Sequence, residues 1–293
     1  MVAARVSPNV VGAWWMFLSA ITFTLMTSLI KFLGSDYSAA IQTFYRQLAG
    51  TVILLPLMVR HGRTAFATDR FGLILFRAAA TVGGFILTFE SFRLLPLADA
   101  NAISFTRVLW VVPIAVFFLK ERVGPLRLFA TIIGFAGILV MMPPEAGGGI
   151  GWPQLAALGG ALLLAFANVS AKSMTSSHGT LTLLVWASIL GLVLSLPMAL
   201  AEWRWPSAKD LALLATMGMA GVLNQYCSLV GLKVGDATAV IPVDYSRLVM
   251  AAAVGFVFFN EMPQLSTAIG AAIIVGSTLF IIWREQQAGR KPT

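Results

Sequence analysis

Charge is the scarcest ingredient of this 293-residue chain: 11% of its residues are Asp, Glu, Lys or Arg, and 58% are apolar. A mean hydropathy of +0.86 leaves too few polar groups to coat a water-facing surface, so a soluble globular fold is excluded. Cysteine and histidine are nearly missing as well. Cys227 alone cannot close an internal disulfide, and with His61 and His178 near the loops it offers no metal-binding spacing. There is no HExxH motif, no phosphate-binding glycine loop and no Gly-x-Gly-Asp setting; the nearest stretch reads Lys233-Val-Gly-Asp236. An intramembrane enzyme lacks its parts, and no cofactor or metal is expected.

What the chain has in quantity is long apolar runs. A membrane span needs roughly 20 mostly apolar residues, and uncharged runs of that order lie between Arg5 and Lys31, Glu145 and Lys172, Asp210 and Lys233, and Glu261 and Arg284. Six more stretches complete a set of ten expected helices, near 10–32, 39–60, 71–92, 97–119, 125–142, 152–172, 180–201, 210–232, 236–259 and 264–283. Runs this long without strict alternation are helices, not barrel strands. The first is long for a secretory signal and has no clear cleavage site, so it reads as a retained span. The net charge of +8 does not point to nucleic acid, because its distribution is topological. Arg5, Arg60, Arg63, Arg70, Lys120, Arg122, Arg127, Lys172, Lys233, Arg284, Arg290 and Lys291 fall on one side, against Lys31, Arg93, Arg204 and Lys209 on the other. The positive-inside rule then puts both termini in the cytoplasm.

The chain also repeats itself. Lys31, Gly50 and Pro56 return as Lys172, Gly191 and Pro197, each 141 residues on, while Arg107 and Glu121 return as Arg247 and Glu261, 140 on. Asp99-Ala100-Asn101-Ala102 returns as Asp236-Ala237-Thr238-Ala239, with Ser91 and Gly84 matching Ser228 and Gly221, all at 137. Each copy, 12–142 and 152–283, holds five spans, with residues 143–151 as a glycine- and proline-bearing linker. Five is odd, so the second copy enters the membrane from the opposite side. The expected fold is therefore an all-α integral membrane protein of ten transmembrane helices in two inverted five-helix repeats. Swapping the shapes of two such halves gives alternating access.

The runs Pro113-Ile-Ala-Val-Phe-Phe-Leu-Lys-Glu121-Arg-Val and Asp244-Tyr-Ser-Arg-Leu-Val-Met-Ala-Ala-Ala-Val-Gly-Phe-Val-Phe-Phe-Asn-Glu261 resemble the fourth and ninth helices of EamA domains in the drug/metabolite transporter superfamily. Phe44-Tyr45-Arg46-Gln47-Leu48 resembles the arginine-bearing second helix of that family. The resemblance covers nearly the whole chain. It implies a bacterial-type inner-membrane secondary transporter for a small organic solute, amino-acid-like or, alternatively, a vitamin or nucleoside derivative of the riboflavin or S-adenosylmethionine type. A coupling proton or an exchange solute is the further partner such a carrier uses, besides membrane lipid. The second copy departs from the first, with Ala253 in place of Pro113 and Ala187 in place of Arg46, so any site is asymmetric.

Ionisable groups at bilayer depth cost at least ~2.5 to 3.5 kcal/mol each on insertion scales, so each needs a partner, a wet cavity or a route to the headgroups. Arg107 and Arg247 lie about eleven residues into their helices, roughly 16 Å deep, which is the midplane. Arg247 has Asp244 three residues before it and reads equally well as a self-neutralised pair or a substrate contact. Arg107 has no acid within four residues. Arg46 is expected in the cavity, whereas Arg77 is expected to snorkel to the headgroups. Against these four arginines stand Asp244, Glu90 and Asp99, an excess of positive charge that suits a carboxylate or phosphate. Tyr45, Trp110, Trp186, Tyr226 and Tyr245 offer stacking surfaces, although packing explains each one by itself. Trp14, Trp15, Trp152, Trp203, Trp205 and Trp283 fall at span ends, as an interfacial belt does. Asn168, Asn224 and Gln225 are uncharged polar groups inside spans, suited to interhelical hydrogen bonds or to substrate. Lys31, Lys172, Glu121 and Glu261, symmetric between copies, are expected to be structural pins or gates.

Overall fold

A computed structural model describes residues 7–62, 66–117, 124–141, 151–174, 178, 180–235, 237–262 and 264–289. The chain forms twelve helical segments among these: α1 Pro8–Leu33, α2 Ala39–His61, α3 Phe71–Leu94, α4 Leu97–Ser104, α5 Thr106–Phe117, α6 Pro125–Met141, α7 Trp152–Met174, α8 Thr180–Ala201, α9 Ala208–Val234, α10 Ala237–Asp244, α11 Ser246–Phe259 and α12 Leu265–Gly289. No strand occurs among the described residues. Seven helical stretches are long and apolar enough to cross a bilayer, and α6 and α12 carry two shorter apolar ones. Large apolar side chains such as Phe129, Val59, Phe258 and Leu265 face outward. That surface would be untenable in water and is natural in lipid. Helix starts follow local chemistry: Ser7, Ser38 and Ser207 each cap a helix by accepting a hydrogen bond from a backbone N–H three residues on.

Most expected boundaries fall within a few residues of the observed ones, α12 running farther, to Gly289. The main difference lies in the fourth and ninth spans, expected as continuous. Each is broken once, at Phe105 and at Tyr245. Around both residues the backbone tightens to bonds spanning three residues: Phe105 N–H donates to Ala102 O and Val108 N–H to Phe105 O, while Tyr245 N–H donates to Pro242 O and Leu248 N–H to Tyr245 O. The first break is reinforced by side-chain hydroxyls that take nearby carbonyls, Ser104 Oγ donating to Asn101 O and Thr106 Oγ1 to Ile103 O. In the second, Pro242 supplies no N–H to the ladder.

The two repeats do not stand side by side; they interlock. The first helix of copy one, α1, packs along α9, the third helix of copy two, and α7 packs in the mirrored way on α3. The second helices α2 and α8 meet each other, as do the fifth helices α6 and α12. Glycines make the closest crossings. A Cβ on Gly12 would sit 2.9 Å from Gly231 O, and one on Gly137 would sit 2.9 Å from Gly270 O, so neither seam tolerates a side chain without moving. The largest buried cluster draws on both copies, with Ile30, Phe89, Phe92, Leu97 and Ile103 against Leu214, Met217, Ala251 and Ile274.

Candidate functional site

The two breaks meet. Phe105 and Tyr245, 140 residues apart in the repeat, touch with ring centroids 4.6 Å apart, and the Tyr245 hydroxyl engages Thr278 on α12. Just beyond each break comes an arginine. Arg247 is buried, its guanidinium lying 3.9 Å from the Phe105 ring centroid and 4.5 Å from that of Phe23 on α1. Its ion pair with Asp244 is long, 3.5 Å, and its Nε has no hydrogen-bond partner. Aromatic faces thus do much of the work of holding this cation, as electron-rich rings do in desolvated sites. Arg107 lies within charge range of both Arg247, which repels it, and Asp244, which attracts it. Among the described residues Arg107 has no hydrogen-bond acceptor and no ion pair, and its side chain is half-buried. Trp110, one turn further along α5, packs edge-on against Phe135 with its indole N–H buried and unpaired.

Arg46 follows the same habit on its own platform. Its guanidinium sits 3.8 Å from the Phe85 ring centroid, one nitrogen donates to Gln47 Oε1 at 3.0 Å, and Nε is buried without a partner. Gly221 on α9 leaves it room, since a Cβ there would come 3.1 Å from Nε. Tyr45 points elsewhere, stacking on Trp203 beside Phe44. Trp203, just past the end of α8, is half-buried between these rings and the exposed Trp205. Trp14, Trp152, Trp205 and Trp283 are exposed, as a belt requires.

Other expected site residues are not gathered at the breaks. Asn224 is bonded to α1, donating to Ser19 O at 3.0 Å and to Ser19 Oγ at 2.8 Å, while Ser19 Oγ donates to Asn224 O. It is a helix-pairing residue. Trp186 donates its indole N–H to Phe66 O at 3.3 Å and packs edge-on against Phe66 and Phe71, near the end of the bundle where α3 begins. Tyr226 is exposed against Trp15. Asn168 and Gln225 are exposed on α7 and α9, with no hydrogen bond among the described residues. Arg77 does not snorkel: it reaches α8 and donates to Leu183 O at 3.2 Å.

At the end of the bundle where α1 meets α2, a group of charges is bonded together. Lys31 pairs with Glu261 and donates to Leu95 O at 2.6 Å, and Glu261 accepts from Leu97 N–H at 2.8 Å. Local sequence aims Glu261 there: Asn260 takes a left-handed turn at the end of α11, Glu261 N–H returns to Gly255 O, and Gly255 clears space for the carboxylate. Arg93, paired with Glu90, donates twice to Gly34 O at 3.0 and 2.9 Å, and Thr267 donates to Asp99 at 2.7 Å. The cleft beside this pin, about 40 Å³, has room for water but not for a metabolite. Lys31 and Glu261 join different copies, as pins should. Glu121 and the side chain of Lys172 lie outside the described residues, as does the linker apart from Gly151.

Sequence reasoning missed two things. The first is the set of rings under the guanidiniums, Phe23, Phe85 and Phe105; the 140-residue spacing of Phe105 and Tyr245 was the available signal. The second is a mirrored pair of clasps. Tyr37 donates to Asp210 at 3.0 Å at one end, and His178 Nε2 lies 3.2 Å from Asp69 at the other. Both steps, 37 to 178 and 69 to 210, are 141. Burial first, then the Asp210 hydrogen bond, pushes the Tyr37 phenol above its ordinary value, so it remains a donor.

Comparison with known proteins gives the frame a lineage. The chain is 31% identical over 280 residues to a protein of Rickettsia prowazekii named S-adenosylmethionine uptake transporter, covering 94% of each. It is 30% identical over 293 residues to a protein of Rhizobium johnstonii named riboflavin transporter, covering 99% of this chain and 97% of that one. A solved crystal structure shares the fold with a TM-score of 0.63 at 19% identity, covering 97% of this chain and 99% of that chain. The profile of the EamA-like transporter family matches residues 10–142 and again 151–283, and the chain belongs to that family.

Proposed function

We propose that this membrane transporter of small metabolites is a secondary carrier of the inner membrane, with both termini cytoplasmic, that binds its substrate between the broken helices. Residues 12–142 and 152–283 are its two inverted halves, and alternating access exchanges their shapes. The observation that carries this reading is Arg107: a guanidinium at mid-span depth with no acceptor among the described residues, beside a ring-held Arg247 and a loosely paired Asp244. A cation left so in lipid needs a bound anion or a wet path. The carried solute therefore has an anionic or zwitterionic group, and Arg107, Arg247 and Asp244 contact it, with Arg46 and Trp110 on the approach.

Charge alone would suit a plain amino acid. The names of the relatives favour a larger cargo, of nucleoside-derivative or flavin type, and Phe23, Phe105 and Tyr245 supply flat surfaces for such rings. Nothing in this chemistry is catalytic. The test is uptake into proteoliposomes of labelled S-adenosylmethionine, riboflavin and a panel of amino acids. Saturable flux of S-adenosylmethionine, exceeding that of every amino acid and of uncharged riboflavin, is expected. Intact protein that moves none of them overturns the proposal.

A further inference from the structure

Three charges crowd the meeting point of the breaks, and they are held in different ways. Arg247 lies between two rings, 3.9 and 4.5 Å from their centroids, on the buried side of the group. A cation seated like this is fixed: moving it would forfeit both faces. Asp244 is on the same helix face but 3.5 Å from Arg247, beyond good charge-assisted hydrogen-bond length, and its side chain keeps about a quarter of its exposure (24%). Arg107 completes the group from the other repeat, without an acceptor among the described residues. Two of the three therefore have unused bonding capacity, and they are of opposite sign.

We infer that the site divides its charges by role, Arg107 taking a substrate carboxylate and Asp244 a substrate ammonium, so that the preferred cargo bears an α-amino-acid end joined to an aromatic heterocycle. This rests on the transport reading above and narrows it. Arg247 stays in place as a structural charge between its two rings. The geometry suits a zwitterion better than either simple ion. A lone anion would leave Asp244 facing negative charge, and a lone cation would meet Arg107 and Arg247 together. Neutral ring compounds would gain the rings but leave both polar groups unpaired, and sites built to bond a polar group reject ligands that lack it.

The experiment is a competition series in proteoliposomes against labelled S-adenosylmethionine. The competitors are S-adenosylhomocysteine, which has the carboxylate and the ammonium, its des-amino analogue, which keeps only the carboxylate, and methylthioadenosine, which has neither. The wild type should favour S-adenosylhomocysteine over the des-amino analogue by tenfold or more, and over methylthioadenosine by more still. Asp244→Asn should remove the first preference while Arg107→Gln removes the preference for the carboxylate. Should a variant fold poorly, the wild-type series stands by itself. Equal inhibition by all three competitors, with flux intact, overturns the division of charge but leaves transport standing. Absence of S-adenosylmethionine flux in a wild type that moves another solute of the panel also overturns the division of charge, whereas absence of flux for every solute overturns the transport reading instead.

Discussion

The end of the bundle that carries Lys31 and the midplane that carries Arg107 handle charge in opposite ways. At the pinned end Lys31, Glu261, Arg93, Glu90 and Asp99 all have bonded partners, several of them backbone groups from the other copy or another helix. At the meeting point of the breaks one arginine rests on rings, one has no acceptor among the described residues, and Asp244 is held at 3.5 Å. Buried charges with saturated partners stabilise one arrangement, whereas those without await a partner from outside. On the proposed reading the pinned end is mechanical and the meeting point of the broken helices is chemical. Substitutions at the first should change folding and at the second should change binding.

The comparison breaks most visibly at the pin. Lys31→Met leaves Glu261 facing only the Leu97 N–H, and removing one member of this partly buried pair costs about 2 kcal/mol, less than the fully buried case. Thermal unfolding in detergent should show a clear fall in melting temperature, and the double variant Lys31→Met with Glu261→Met should recover most of it. A smaller effect, of another kind, is expected at the centre. Arg107→Gln should raise the Kd for substrate about tenfold, a change of roughly 1.4 kcal/mol, with the melting temperature unchanged or slightly raised because a half-buried cation with no acceptor among the described residues has gone. Phe105→Leu should follow: loss of one ring under Arg247 costs about 1 kcal/mol of stability and weakens binding severalfold, readable in the same two assays. Last comes Asn224→Ala, which removes the bonds to Ser19. It should cost about 0.6 kcal/mol and leave substrate affinity where it was, which distinguishes it from the midplane residues.

Much of the frame was legible in the sequence because hydropathy and repeat spacing report on it directly. Lys31 and Glu261 were readable as pins, since charges at symmetric positions near span ends serve the architecture common to both copies. Their bonding to Leu95 and Leu97 was not, because backbone groups carry no sequence signal. The breaks at Phe105 and Tyr245 were missed for a related reason: a tightened turn keeps helical dihedrals and needs no glycine, so only hydroxyls and Pro242 hint at it. In the site, Arg107, Arg247, Asp244 and Trp110 were visible as polar or amphipathic groups at depth. Phe23, Phe85 and Phe105 were hidden among 20 phenylalanines of a membrane protein. Trp186, Tyr45 and Asn224 went the other way, named for their chemistry and found paired with Phe66, Trp203 and Ser19. Sequence depth tells where a polar group lies along a helix and not which face it occupies.

The most direct test of the division between mechanical end and chemical centre is ligand-induced thermal stabilisation by S-adenosylmethionine, measured on wild type, the Lys31→Met/Glu261→Met double variant and Arg107→Gln. The account predicts that the ligand stabilises the first two to a similar extent and Arg107→Gln markedly less at the same ligand concentration. Full stabilisation of Arg107→Gln, alongside a double variant that no longer responds, would contradict it.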